Sequence, residues 1–339
     1  MKSVLGSNAF KLVATLSVSA FFFYLFIRDL DLEEVWDSIL DADYAWVPLG
    51  LALFAGSLIA RTFRWRVFYS PGAPATGILF QTLLVTYAAN NLLPLRGGEL
   101  LRAQLLLDRA QVSRMRTLGV ALVERFFDLV VLGVFVILGQ FIVDVGIAFV
   151  GTGLIVALGA GAGLVVATLV ASNKALPGKI ASITWLPLKD SWRTQLRFWG
   201  EWVLDGFSVL QTPAGFLAAS AWTAIAWALE FGMYWAVARA FHIDEGFFTM
   251  AFVGAAASLS LSIPSAQGGV GPFQLVAKEA LQKFSVSANV AGAYALALHV
   301  LLIVPVTIAG LLVFIFMVPR GRAVLRAATA AEGDPATGA

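Results

Sequence analysis

Long apolar runs, interrupted by short breaks of charge or of glycine and proline, extend from residue 12 to residue 318. Six are continuous: 12–27, 45–60, 117–143, 147–170, 213–238 and 290–318. Each is near the roughly 20 residues that a bilayer-crossing helix needs, so the pattern predicts about six full spans. Two other apolar regions are broken in the middle. Residues 77–93 and 100–107 flank one break, with Pro94, Arg96, Gly97, Gly98 and Glu99. Residues 247–263 and 273–284 flank the other, with Pro264, Gln267, Gly268, Gly269, Gly271 and Pro272. A helix broken inside hydrocarbon is tolerated only where protein or a water-filled cavity satisfies the freed backbone groups. Both regions are therefore expected to be re-entrant helical hairpins. Between them, Trp192, Leu196, Trp199, Val203, Phe207 and Leu210 recur at helical spacing opposite Arg193, Arg197, Glu201 and Asp205. That pattern predicts an interfacial helix over about 191–211.

The order of the charges orients these elements. Lys2 and Lys11 precede the first run, and the acidic segment Asp29, Asp31, Glu33, Glu34, Asp37, Asp41 and Asp43 follows it. Arg61, Arg64 and Arg66 close the second run, and Arg109, Arg114 and Arg116 follow the first broken region. Lys174, Lys179, Lys189, Arg193 and Arg197 fill the central connection, while His242, Asp244 and Glu245 precede the second broken region. Arg320, Arg322 and Arg326 come last. Basic loops stay on the cytoplasmic side, so both termini are expected inside. The first run reads as a retained span rather than a cleaved signal peptide. The first hairpin would then enter from inside and the second from outside. Residues 1–144 and 145–318 become two membrane repeats of inverted topology, with 319–339 a disordered cytoplasmic tail. The fold class is an all-α polytopic membrane protein. Paired glycine- and proline-interrupted segments in such halves point to a transporter's midplane site.

Composition agrees with the pattern. Of 339 residues, 59% are hydrophobic and 13% charged, with mean hydropathy +0.84. Soluble domains carry about 25% charged residues, so this is an integral membrane protein. It has no cysteine, and its two histidines, His242 and His299, are far apart. Neither a thiol nucleophile nor a metal site is expected, and no cofactor or nucleic-acid partner. Asp29-Leu30-Asp31 and Asp41-Ala42-Asp43 fit the weak D-x-D pattern of sugar-nucleotide transferases. Both sit in the acidic outer loop, where a solvated loop is the better reading. With no Walker or HExxH pattern, the protein is expected not to be an enzyme.

The candidate chemistry lies in the breaks and beside them. At each hairpin tip a second half-helix begins, and its N-terminus favours anions. Arg96 adds a positive charge at the first tip, and Gly268, Gly269 and Gly271 allow close backbone approach at the second. Together these suit a phosphate within the membrane; alternatively the glycines and prolines only pack the hairpins. Glu99 either neutralises Arg102, three residues on, or binds an amine or a proton. Glu124, Arg125 and Asp128 lie within about one helical turn, and the two carboxylates are expected to pair with arginines of the first hairpin or with Arg61 and Arg64. Glu230 and His299 stand alone near mid-span, as a proton relay or a neutral hydrogen-bonded pair.

Three stretches carry a family resemblance. Asn91-Leu92-Leu93-Pro94-Leu95-Arg96-Gly97-Gly98-Glu99-Leu100-Leu101-Arg102 is the first. Val123-Glu124-Arg125-Phe126-Phe127-Asp128 is similar to a V-E-R-x-x-D motif, and Pro264-Ser265-Ala266-Gln267-Gly268-Gly269-Val270-Gly271 to P-x-x-GG-[IV]-G. In these the chain resembles the flippase-like family of the lysylphosphatidylglycerol synthase transmembrane region. The resemblance implies a multi-span protein of a prokaryotic cytoplasmic membrane that moves lipids such as aminoacylated phosphatidylglycerol, glycolipids or polyprenyl lipids. Gln274 stands where the family often has glutamate, and the aminoacyl-transfer domain of the full synthases is absent from this sequence. The resulting expectation is a lipid translocase in which Arg96, Arg102 and the tip N–H groups hold a phosphate while Glu99, Glu124 and Asp128 balance charge. The rival is a scaffold for a separate cytoplasmic lipid-modifying enzyme.

Overall fold

The structure, a computed structural model, describes residues 2–93, 97–139, 141–142, 147–172, 206–262 and 267–317. Every regular element among them is helical. The chain opens with α1 (Lys2–Ile27), the short α2 (Leu32–Leu40) and α3 (Val47–Phe68). The first broken region becomes α4 (Thr76–Leu92) and α5 (Gly98–Ala110), followed by α6 (Arg114–Gly139) and α7 (Ile147–Ser172). After a 3-10 turn at Ser208–Gln211 come α8 (Pro213–Ala240), α9 (Phe247–Ser260), α10 (Pro272–Gln282) and α11 (Ala288–Met317). Four helices among the described residues are long and apolar enough to cross a membrane: Tyr44–Phe68, Gly151–Leu169, Pro213–Ala240 and Ala288–Phe316.

Two boundaries depart from the sequence reading. The acidic segment is not merely a loop, because its apolar residues Leu32, Val35, Trp36, Ile39 and Leu40 fold into α2. Asp31 caps that helix by accepting from the N–H groups of Glu33 and Glu34, and Asp43 caps the following turn through Ala45 N–H. One aspartate of each D-x-D, Asp31 and Asp43, thus serves as a cap, and Asp29 pairs with Arg28. The second run does not end at Arg61. α3 continues through Phe68, so Arg61 and Arg64 lie inside the fold, and only Arg66 of the three is exposed.

α3 and α8 form the most extensive helix pair. Small residues let them approach: Gly50 meets Met233 and Val237, Gly56 meets Leu229, and Gly232 meets Leu53. Each hairpin packs leg on leg, α4 on α5 and α9 on α10. With 17, 13, 14 and 11 residues, every leg is shorter than a full span. α4 also packs on α11, and α9 on α6. Gly153 and Gly163 of α7 fit against Val136 and Phe126 of α6, whereas Gly151, Gly159 and Gly161 meet nothing within 4 Å. The core runs through Phe54, Leu58, Trp65, Phe231, Tyr234, Phe252 and Leu298, all buried.

The expected interfacial helix lies outside the described residues except for its end, where Phe207 and Leu210 are buried in the core. The tail from 319 onward, with Arg320, Arg322 and Arg326, also lies outside them.

Candidate functional site

The interior of the helix bundle holds an ion network. α3 supplies Arg61 and Arg64, three residues apart on one face. α6 supplies Glu124 and Asp128, α5 supplies Glu99 and Arg102, and α8 supplies Glu230. Arg61 pairs with Glu230 at 2.7 Å and lies 3.8 Å from Asp128. Arg64 bridges Glu124 at 2.5 Å and Asp128 at 2.6 Å. Arg102 reaches Glu124 at 3.0 Å and Glu99 at 3.4 Å. Three buried guanidiniums thus face three carboxylates: Glu124, Asp128 and Glu230.

Neutral groups complete the cage. Trp227 donates its indole N–H to Asp128 at 2.9 Å, and Ser57 its hydroxyl to Glu230 at 3.2 Å. Arg64 donates to the Thr223 hydroxyl, and Arg102 to the Tyr69 hydroxyl. Arg102 lies over the Trp65 ring, 3.5 Å from its centroid, and Arg61 over Trp227 at 4.8 Å, both cation–π contacts. The Nε–H groups of Arg64 and Arg102 are buried and meet no acceptor.

The network opens at one edge. Arg125 is 50% exposed and lies 3.9 Å from Glu99, itself 26% exposed. Glu99 belongs to the first turn of α5, beside the first break. Arg96 at that break lies outside the described residues, as does Pro264 at the second. Gly97 is the N-cap residue of α5, and the N–H of Gly98 is taken by the Asn90 side chain at 3.0 Å. A side chain at Gly98 would meet the carbonyl of Thr86, so glycine here permits close approach of the two legs. Asn91 is committed to α11, donating to the Thr307 hydroxyl at 2.9 Å.

The second tip is built around His299. Gln267–Gly269 make a 3-10 turn, and Gly268, Gly269 and Gly271 have φ of 72°, 74° and 100°, a region that favours glycine. The Gly271 N–H is occupied by the Gln274 side-chain oxygen at 2.8 Å. The Gln274 amide nitrogen lies 2.5 Å from His299 Nδ1, and His299 Nε2 lies 2.8 Å from the Gly268 carbonyl. A carbonyl only accepts, so Nε2 carries the proton and Nδ1 accepts from Gln274. Gln274, in place of the glutamate often found there, completes this set with a neutral imidazole.

Several sequence expectations come together here and others separate. Glu124 and Asp128 pair with Arg61, Arg64 and Arg102, and Glu99 pairs with Arg102. Glu230 is not isolated: it joins the ion network, whereas His299 belongs to the second tip. The sequence offers Arg61 and Arg64 as candidate partners of the two carboxylates but places them at the end of a span, and it gives Ser57, Trp65, Thr223 and Trp227 no part. The missed signal was the three-residue spacing of Arg61 and Arg64, which sets both on one helix face. A recess of about 450 Å³, lined by Asp41, His242, Asp244 and Glu245 among others, lies at the acidic end of the bundle and includes no member of the network.

No curated protein and no solved structure matches the chain. The Lysylphosphatidylglycerol synthase TM region family matches residues 12–310, which include both hairpins and every member of the network. The chain therefore belongs to that family, as a multi-pass membrane protein related to lipid metabolism.

Proposed function

We propose that the protein is a lipid translocase of a prokaryotic cytoplasmic membrane, moving a phosphate-bearing lipid such as an aminoacylated phospholipid or a glycolipid without altering it chemically. The observation that carries this reading is the buried ion network among apolar helices. A charged side chain at membrane depth costs about 2.5–3.5 kcal/mol on insertion scales. A buried ion pair can often be replaced by apolar residues with no loss of stability. Structure alone therefore gives little reason for five buried charges and the half-buried Glu124, and a polar path for a head group gives a good one.

In this reading the head group engages the open edge of the network while its acyl chains stay in the bilayer. Arg125, with Arg96 three residues before Glu99 in the chain, takes the phosphate; Glu99 takes an amine where the lipid has one. Arg102 approaches the head group as Glu99 turns away from it. The buried Nε–H groups of Arg64 and Arg102 are the donors left for a phosphate or water oxygen. The arrangement as two inverted repeats, with about six spans and two re-entrant hairpins, is supported by matched packing. α3 packs on α8, α4 on α11 and α9 on α6; exchange of the halves turns the second pair into the third and leaves the first unchanged. Rocking of the halves would expose the network to each side in turn.

The scaffold reading draws on one observation, the basic rim of Arg66, Arg109 and Arg114, all exposed, which suits docking of a cytoplasmic lipid-modifying enzyme. Reconstitution in liposomes separates the two. Head-group-labelled anionic, aminoacylated and glycosylated lipids are followed between leaflets with a membrane-impermeant quencher. The expected result is movement of one lipid class that is lost in Arg125→Ala and in Arg96→Ala while both variants stay folded. If the native protein moves no lipid in the panel, translocation is overturned in favour of the scaffold.

A further inference from the structure

We infer that α2 is an in-plane membrane-surface helix whose Leu32, Trp36 and Leu40 insert into the lipid at the boundary between head groups and acyl chains. The inference goes beyond translocation and stands whether or not the protein moves lipid.

α2 is fastened at both ends. At its N-terminal end, the Asp31 N–H donates to the Asn289 side chain at 3.0 Å, and Asn289 donates in turn to Glu34. Leu30 packs over Gly292. Asn289 and Gly292 belong to the first turns of α11. Just beyond the other end of α2, the Asp43 N–H donates to the Ala240 carbonyl at 2.8 Å, and Ala240 is the last residue of α8. One end of α2 is thus pinned where α11 begins and the other where α8 ends. Residues 28–31, which link it to α1, can span at most about 14 Å. α2 therefore lies across the ends of the long apolar helices.

The residues of α2 divide into two arcs. At 100° per residue, Leu32, Val35, Trp36, Ile39 and Leu40 share one arc, and Glu33, Glu34, Asp37, Ser38 and Asp41 the other. Only one flank of the apolar arc meets protein: Val35 is buried and Ile39 half-buried. The other flank is bare, with Leu32, Trp36 and Leu40 exposed by 66%, 59% and 63%. Tyr24 on α1 and Leu49 on α3, in the helices before and after it, are exposed apolar residues as well. A lipid surface is the occupant that accepts a bare apolar flank on a helix whose other arc carries carboxylates. Because the polar arc is acidic, anionic lipid gives it no attraction, and insertion rests on the apolar arc alone.

The chain has no cysteine, so single-cysteine labelling is free of background. Nitroxide is attached to Leu32→Cys, Glu33→Cys, Trp36→Cys, Asp37→Cys and Leu40→Cys in the full-length protein. Each is reconstituted in vesicles of phosphatidylcholine, alone or with phosphatidylglycerol. Collision with oxygen, which concentrates in lipid, is compared with collision with a water-soluble nickel chelate. The expected result is oxygen access with nickel protection at 32, 36 and 40, the reverse at 33 and 37, and the same pattern in both compositions. Nickel access at all five positions overturns the inference in favour of a solvated helix. Protection from both reagents at 32, 36 and 40 overturns it in favour of a protein partner or a second copy.

Discussion

Within the network, Arg61 and Glu230 are joined at 2.7 Å but are unequally dependent on each other. Without Glu230, Arg61 keeps Asp128 at 3.8 Å and the face of Trp227. Without Arg61, Glu230 keeps, among the described residues, only the hydroxyls of Ser57 and Tyr234, an uncompensated charge in a low-dielectric interior. Removing one partner of a buried pair costs about 3–5 kcal/mol. Arg61→Met is expected to lose stability of that order in detergent unfolding, and Glu230→Leu less. The double variant is expected to recover most of the Arg61→Met loss, since neither charge remains. Additive losses would show that the pair is not an energetic unit. Part of this was legible in sequence: Arg61 and Arg64 stood as candidate partners of Glu124 and Asp128. Arginines at the end of an apolar run otherwise read as cytoplasmic charges that orient it, and only the continuation of α3 to Phe68 shows that these two are interior.

For the elements, the hairpins test whether the breaks are structural parts. Asn90 reaches from the end of α4 to the Gly98 N–H at the start of α5, so one leg caps the other. The Cβ of an alanine at Gly98 would run into the Thr86 carbonyl, a backbone atom that cannot swing aside. Gly98→Ala is expected to push the legs apart, seen as lower thermal stability and faster proteolysis near the first break. Gly77→Ala, where an added Cβ meets nothing within 4 Å, is the control expected to change neither. Equal behaviour of the two would remove the argument that glycine is required by close approach. The hairpins were readable because glycine and proline punctuate helices strongly. α2 was not, because five apolar residues among carboxylates barely disturb the hydropathy of the segment. Gln274 was noticed only as a departure from glutamate, and its partner His299 lies 25 residues away, a distance no local pattern spans.

At the scale of the whole molecule, charge separates the two ends of the bundle. Arg66, Arg109, Arg114 and Arg116 gather at one, where Arg116 donates to the carbonyls of Tyr69 and Pro71. The carboxylates of α2 gather with Asp244 and Glu245 at the other. The ion network joins α3, α5 and α6 of the first half to α8 of the second, so relative motion of the halves must rearrange it. The seam between α4 and α11 offers a direct test, because Asn91 of α4 meets Thr307 of α11 at 2.9 Å and the proposed repeats part there. In an Asn91→Cys, Thr307→Cys variant, a short cleavable thiol crosslinker would tie the first hairpin to the second half. If rocking carries the lipid, crosslinking is expected to stop movement between leaflets, cleavage to restore it, and either single-cysteine variant to be indifferent to the reagent. If the crosslinked protein moves lipid as fast as the cleaved one, the halves do not part along this seam. Access to the network would then have to change within one half, leaving the open edge between Glu99 and Arg125 as the moving part.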